Sequence, residues 1–188
     1  ANMITKNKLL ESELNRQLPL IRDAFLKRLI AGEFESKDEI VFAAAQADIS
    51  LNQGIGYAGV IQINGYSGMD SVEILNELNA SRLLLKQALS EINSPIQMTD
   101  MGSDKIVALF FSTEKEVNAA VEEEIVNETM EKLSQYVFGE YRITIQAGFG
   151  DLFTSVTEVS RSYEQGKQAL EYAVFMNKKG TLWNHETQ

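Results

Sequence analysis

Two short apolar runs, IQMTDM and KIVALFF, stand on either side of Gly102-Ser103, and long amphipathic helical sequence flanks the pair. A Gly-X link between such runs is a hairpin signal of the II′ kind. Antiparallel strands are therefore predicted over Ile96–Met101 and Lys105–Phe111. The run YAGVIQI predicts an earlier strand over Tyr57–Ile63, and YRITIQAGFG a later one over Tyr141–Gly148. Between the first two strands lies MDSVEILNELNASRLLLKQALSEI, a helical pattern expected to turn Val72, Leu75, Leu78 or Asn79, and Leu83 inward. EKEVNAAVEEEIVNETMEKLSQYVF predicts a second helix, and VTEVSRSYEQGKQALEYAVFMNKKG a third closed by Gly180, with TLW as a last strand. The order β-α-β-β-α-β, then α and β, predicts an α+β, ferredoxin-like antiparallel sheet with helices on one face. Strands one and three have the most continuous apolar runs and are expected to be central.

An N-terminal helical segment precedes this unit. Leu10, Leu14, Leu18, Ile21, Phe25 and Leu29 recur three or four residues apart, a stripe with near-heptad character. Pro19 lacks an N–H, so it either starts a new helix or sits in one helix that kinks. The stripe reads equally as a helix packed on its own domain or as a dimerising linker through Leu10, Leu14, Leu18, Ile21 and Phe25. Gly32 suits a helix stop, and Ser36 with Glu39 forms a capping-box pattern for a short second helix. Helical sequence begins almost at once, and Ala1-Asn2 ahead of Met3 reads as a cloning scar on a domain cut from something longer.

Composition removes several classes of function. The 188 residues carry a net charge of -10, and basic residues are scattered apart from Lys178-Lys179, which argues against a DNA-binding surface. There is no cysteine, hence no disulfide framework, thiolate metal site or cysteine nucleophile. No apolar run is long enough to span a bilayer, and no secretory signal opens the chain, so a cytoplasmic location is expected, whether or not the parent is membrane-anchored. The acidic stretch VEEEIVNETMEKL reads as a solvated helix face.

The hairpin carries a more specific pattern. DMGSDKIVALF resembles the RLGGDEFAVLL hairpin of the diguanylate cyclase (GGDEF) domain, which places the five motif positions on Gly102, Ser103, Asp104, Lys105 and Ile106. The family's first strand, of the form LLDIDHFK, falls on VIQINGY, so its two aspartates become Gln62 and Asn64. Joining two GTP molecules requires divalent metals on phosphate oxygens, and hard cations want carboxylates. Of the expected acids only Asp104 remains. Gln62 offers a neutral carbonyl, Lys105 reverses a charge, and Ser103 puts a Cβ where glycine lets backbone approach phosphate.

A second resemblance covers nearly the whole chain. ELNRQLPLIRDAFLKRLIAGEF, LNASRLLLKQAL, DMGSDKIVALFF and VSRSYEQGKQALEYAVF together resemble the degenerate GGDEF-like domain of bacterial AraC-type transcriptional regulators. That resemblance implies a nucleotide-cyclase-like fold without catalysis, and no cofactor or metal. It divides the chain into a helical linker or dimerisation segment over 1–48 and a degenerate domain over 55–184. Implied partners are a second copy, an adjoining sensor or receiver domain, and a C-terminal helix-turn-helix unit that does not follow Trp183 here. Nucleic acid would not touch this fragment directly. A competing expectation is a sensor binding a nucleotide or small molecule in a remnant groove around Gln62, Asn64, Gly102 and Asp104.

Other candidates have plainer readings. His185, the single histidine, has no metal-ligand spacing and reads as a tail residue. Ser81, Ser160 and Ser162 look like surface or capping residues, with no base nearby to activate a serine. NQGIGYAG precedes a strand and reads as a loop rather than a phosphate cradle. INGYSGMD reads as a turn capped by Asp70 or Ser71, with a small anion on the helix N-terminus as its alternative. Met69, Met98, Met101, Met130 and Met176 read as core filling.

Overall fold

The structure is a computed structural model describing residues 2–66, 71–92 and 96–188. Its strands are β1 (Gly56–Ile63), β2 (Ile96–Met101), β3 (Lys105–Phe111), β4 (Ile145–Phe149) and β5 (Gly180–Trp183). The helices are α1 (Met3–Ala31), α2 (Lys37–Gln46), α3 (Val72–Ile92), α4 (Ala119–Tyr141) and α5 (Val159–Phe175). The sheet order is β2-β3-β1-β4-β5. β1 lies in the middle, antiparallel to β3 from Gly56↔Phe111 to Gln62↔Lys105 and to β4 from Gly59↔Phe149 to Ile63↔Ile145. β2 pairs antiparallel with β3, and β5 runs parallel to β4. The α+β, nucleotide-cyclase-like sheet expected from the sequence is present.

The alternation of a strand sends neighbouring side chains to opposite faces, and here both faces are apolar. Tyr57, Ile61 and Ile63 of β1 join Ile106, Ala108 and Phe110 of β3 under α3 and α4. Ala58 and Val60 join Val107, Leu109 and Phe111 on the other face. That second face is buried by Phe25, Leu26, Leu29 and Ile30 of α1, Ile40 and Ala44 of α2, and Tyr163 and Leu170 of α5. Helices therefore cover both faces rather than one, because a strand apolar on both sides must be covered on both.

α1 is one helix through Pro19, started by the Asn2 side chain on the Thr5 N–H and ended by Gly32 at φ 71°. Pro19 is exposed, so water can take the carbonyl that its missing N–H leaves free. The leucine stripe changes role along this helix. Leu10 and Leu14 are 54% and 62% exposed, Leu18 is half-buried, and Phe25 is 4% exposed inside the domain's own core. Phe25 is thus removed from any surface between two copies. α2 is capped by Ser36 Oγ on the Glu39 N–H, while the Glu39 carboxylate accepts from Glu35 N rather than Ser36 N.

Other boundaries differ in detail. α4 continues through Tyr141, so β4 begins at Ile145 rather than Tyr141; the stripe Val126, Met130, Leu133, Val137 carries the helix on until Arg142 adopts φ 58°. α3 turns Leu78, Ser81, Leu85, Ala88 and Leu89 inward. Val72 and Leu83, off that stripe, are exposed, as is Leu75 at its edge. Ser71 Oγ caps α3 by accepting from Ile74 N, whereas Asp70 and Met69 lie outside the described residues. Met130 is buried and Met98 and Met101 pack against the core, but Met176, past the end of α5, is exposed. No helix among the described residues is long and apolar enough to cross a membrane.

The C-terminus is docked. Trp183 packs edge-on against Tyr57 and donates its indole N–H to Asn127 Oδ1 at 2.8 Å. His185, two residues on, meets the Glu123 carboxylate at 2.7 Å and is not a loose tail residue. Burial of the Trp183 ring brings it there.

Candidate functional site

The last pair of the β2–β3 hairpin is Met101↔Lys105, so the turn holds three residues, Gly102, Ser103 and Asp104, not two. Gly102 sits at φ 71° with open space around it, so backbone angle rather than crowding makes glycine the easy choice. The turn is held from both sides. The Asp104 carbonyl accepts from Ile63 N at 2.8 Å, extending β1 pairing one residue ahead of the start of β3. From α3, the Arg82 guanidinium donates to the Ser103 carbonyl. Arg82 Nε and Lys86 Nζ both lie 3.3 Å from Asp100 Oδ1.

β-sheet register brings the predicted residues together. Gln62 is the direct neighbour of Lys105 on one side and of Gln146 on the other. Gln62 Nε2 donates to Asn64 Oδ1 at 3.4 Å. Asp104 is followed by the residue that neutralises it, with Lys105 Nζ 3.0 Å from its Oδ1. Two open grooves meet at Gln62. One, about 660 Å³, runs from Gly102 and Lys105 under the C-terminal half of α5. The other, about 530 Å³, passes Asn64 and Gln146 toward Phe138 and the end of α5. Asp104 lines neither groove. Gln62, Asn64, Gly102 and Asp104 thus share one end of the sheet, but only the first three open onto space that a ligand can enter.

This donor set does not suit a divalent metal. Hard cations on phosphate oxygens need anionic oxygen ligands at short range. β1 presents two carboxamides, and the one turn carboxylate is held by an ammonium group. Among the described residues no three His, Asp or Glu side chains gather into a metal-binding cluster. Ser162 is equally unsuited to nucleophilic work. It is fully buried, donates to Asp151 O at 2.9 Å and accepts from Ala58 N at 3.1 Å, bolting α5 to β1 instead of lying on the surface.

A family model described as the GGDEF-like domain matches residues 31–172. The chain belongs to the GGDEF-like domain family. Among curated proteins none matches the sequence. Among solved structures, the chain is similar to the GGDEF domain of DgcB from Caulobacter crescentus in complex with c-di-GMP, with a TM-score of 0.54 at 14% identity, covering 79% of this chain and 87% of that one. It is also similar to the active GGEEF domain of a diguanylate cyclase from Vibrio cholerae, with a TM-score of 0.51 at 13% identity, covering 77% and 88%. At such identities the likeness is one of fold.

The hairpin and β1 residues of this GGDEF-like domain were legible from sequence. The α5 wall of the larger groove, including Tyr163 and Lys167, was not singled out. Its signal was available: Tyr163, Lys167, Leu170 and Val174 recur at helical spacing on one face.

Proposed function

We propose that this GGDEF-like domain is a non-catalytic signalling module of an AraC-type transcription regulator. It would relay an input from an adjoining sensor or receiver domain to a DNA-binding unit. The observation that carries the absence of chemistry is the row formed by Gln62, Lys105 and the Lys105–Asp104 ion pair, where phosphate-bound metals would need free carboxylates. The regulator context rests on the four sequence segments that resemble that group. In this reading residues 1–48 are the relay segment and 55–184 the domain it acts on. The test is GTP turnover with Mg²⁺ or Mn²⁺, analysed for cyclic di-GMP by mass spectrometry. The expected yield equals a no-protein blank. Product that disappears in Asp104→Ala would overturn the reading.

The relay would work in pairs. Among the described residues the exposed half of α1 has no partner, and Met3, Leu10, Leu14 and Ile21 fit the a and d positions of a heptad. In a parallel pair that register sets Asn7 at an a position and Lys6 opposite Glu11 of the second copy. Each leucine fully buried contributes ~1.5–3 kcal/mol, set against the cost of association. A second reading is favoured by the two grooves meeting at Gln62: binding of a nucleotide or other small molecule around Gln62, Asn64, Gly102 and Asp104, without turnover.

A further inference from the structure

We infer that the larger groove is a binding site for a small amphipathic carboxylate, held by Tyr163 and Lys167 of α5. This goes beyond the relay and does not depend on it. Tyr163 is only 8% exposed, and among the described residues its hydroxyl bonds no protein group, while its oxygen is still reached by solvent. Tyr163 lines the groove. Water can take that hydroxyl in the empty groove, and a ligand oxygen can replace the water there.

One helical turn along the same face, Lys167 is exposed and forms no ion pair among the described residues, unlike Lys105, which Asp104 holds. The two donors therefore stand side by side over one region. The walls around them are apolar: Val60 from the sheet, Met101 from the hairpin, Leu170, Val174 and the largely exposed Phe175 from α5. A volume of about 660 Å³ suits a small organic molecule.

Charge narrows the class. Asp104 neutralises Lys105 and Glu171 also lines the groove, so among the described residues Lys167 is the one unpaired cation there, too little positive charge for a polyphosphate. One anionic group beside Lys167 and Tyr163, with an apolar body lying toward Leu170 and Phe175, satisfies every donor. A monocarboxylate with an aromatic or aliphatic tail meets that description.

The probe is 4-phenylbutyrate, followed by amide chemical shifts on the whole chain, with 4-phenylbutanol as its neutral counterpart and GTP as a separate arm. Saturable binding is expected, with shifts along α5 and at Gln62. Tyr163→Phe should weaken it about tenfold, the usual effect of losing a hydrogen bond to a charged group. Lys167→Gln should weaken it comparably, and the alcohol should bind more weakly than the acid. Neither substitution removes core volume, so folding is checked from the unchanged shifts of α3 and α4. Absence of saturable binding, or affinity equal in wild type and both variants, overturns the inference. GTP binding that perturbs Asn64 and Asp104 but ignores Tyr163→Phe would support the nucleotide reading alone.

Discussion

Lys105 illustrates how one residue can decide chemistry. Its ammonium neutralises Asp104 and lies beside Gln62, so in the proposed reading the turn offers no free carboxylate to a metal ion. Gln62 and Lys105 were each legible as departures from the hairpin and strand motifs, but their adjacency comes from the β1–β3 register. The role of His185 was not legible, since its partner Glu123 is 62 positions away. The hydrogen bond that the His185 ring donates to the Glu123 carboxylate is the main cause holding the His185 pKa above its ordinary value, against desolvation. A raised folded pKa means the contact stabilises most below the unfolded value, about 6.5, and fades as pH rises through the folded value. The side chain is more than half exposed, so the effect on stability should stay below about 1 kcal/mol. As the only histidine, it gives one imidazole resonance to follow by NMR titration. The midpoint should lie above that of an unfolded peptide and fall in Glu123→Gln; an unchanged midpoint would remove the ion pair.

At the scale of elements, α5 and α1 show what periodicity reveals and what it hides. The stripe of α1 was readable, but only tertiary contact shows where it passes from surface to core, between Leu18 and Phe25. The sheet's second helical layer was missed because two apolar faces look like one continuous run in sequence. α5 comes so close to β4 that a Cβ on Gly148 would stand 2.2 Å from the Gly166 carbonyl oxygen and 2.3 Å from Leu170 N. Backbone cannot retreat as a side chain can, so Gly148→Ala should cost at least the usual 1–3 kcal/mol of overpacking. Urea unfolding would show it as a lowered midpoint; an unchanged midpoint would mean that α5 is not seated as described. For α1, sedimentation across a wide concentration range should show dimer in the wild type that is lost in Leu10→Glu with Leu14→Glu. A monomer throughout, or a dimer indifferent to both changes, would leave the exposed stripe without that role.

For the whole molecule, the proposed function sets the fold against the residues at one end of the sheet. The sheet and its helices are similar in fold to solved cyclase domains, while Gln62, Asn64 and Lys105 stand where, in the proposed reading, a cyclase would need carboxylates. Sequence order sufficed for the succession of strands and helices, since strands joined by one hairpin and two long helices leave few ways to build a sheet, but not for the second helical layer. The grooves needed three dimensions, because their walls come from β1, the hairpin and α5 together. Reinstating acids through Gln62→Asp and Lys105→Glu, with Ser103→Gly, should add metal affinity but little turnover, because substrate must also be positioned. The most direct test of the central claim is the melting temperature with Mn²⁺ and a non-hydrolysable GTP analogue, in the wild type and in Asp104→Ala. A ligand at a hundred times its dissociation constant adds about 2.7 kcal/mol of stability. The account predicts no metal-dependent rise in either protein, whatever the analogue does alone. A rise that requires Mn²⁺ and vanishes in Asp104→Ala would contradict it.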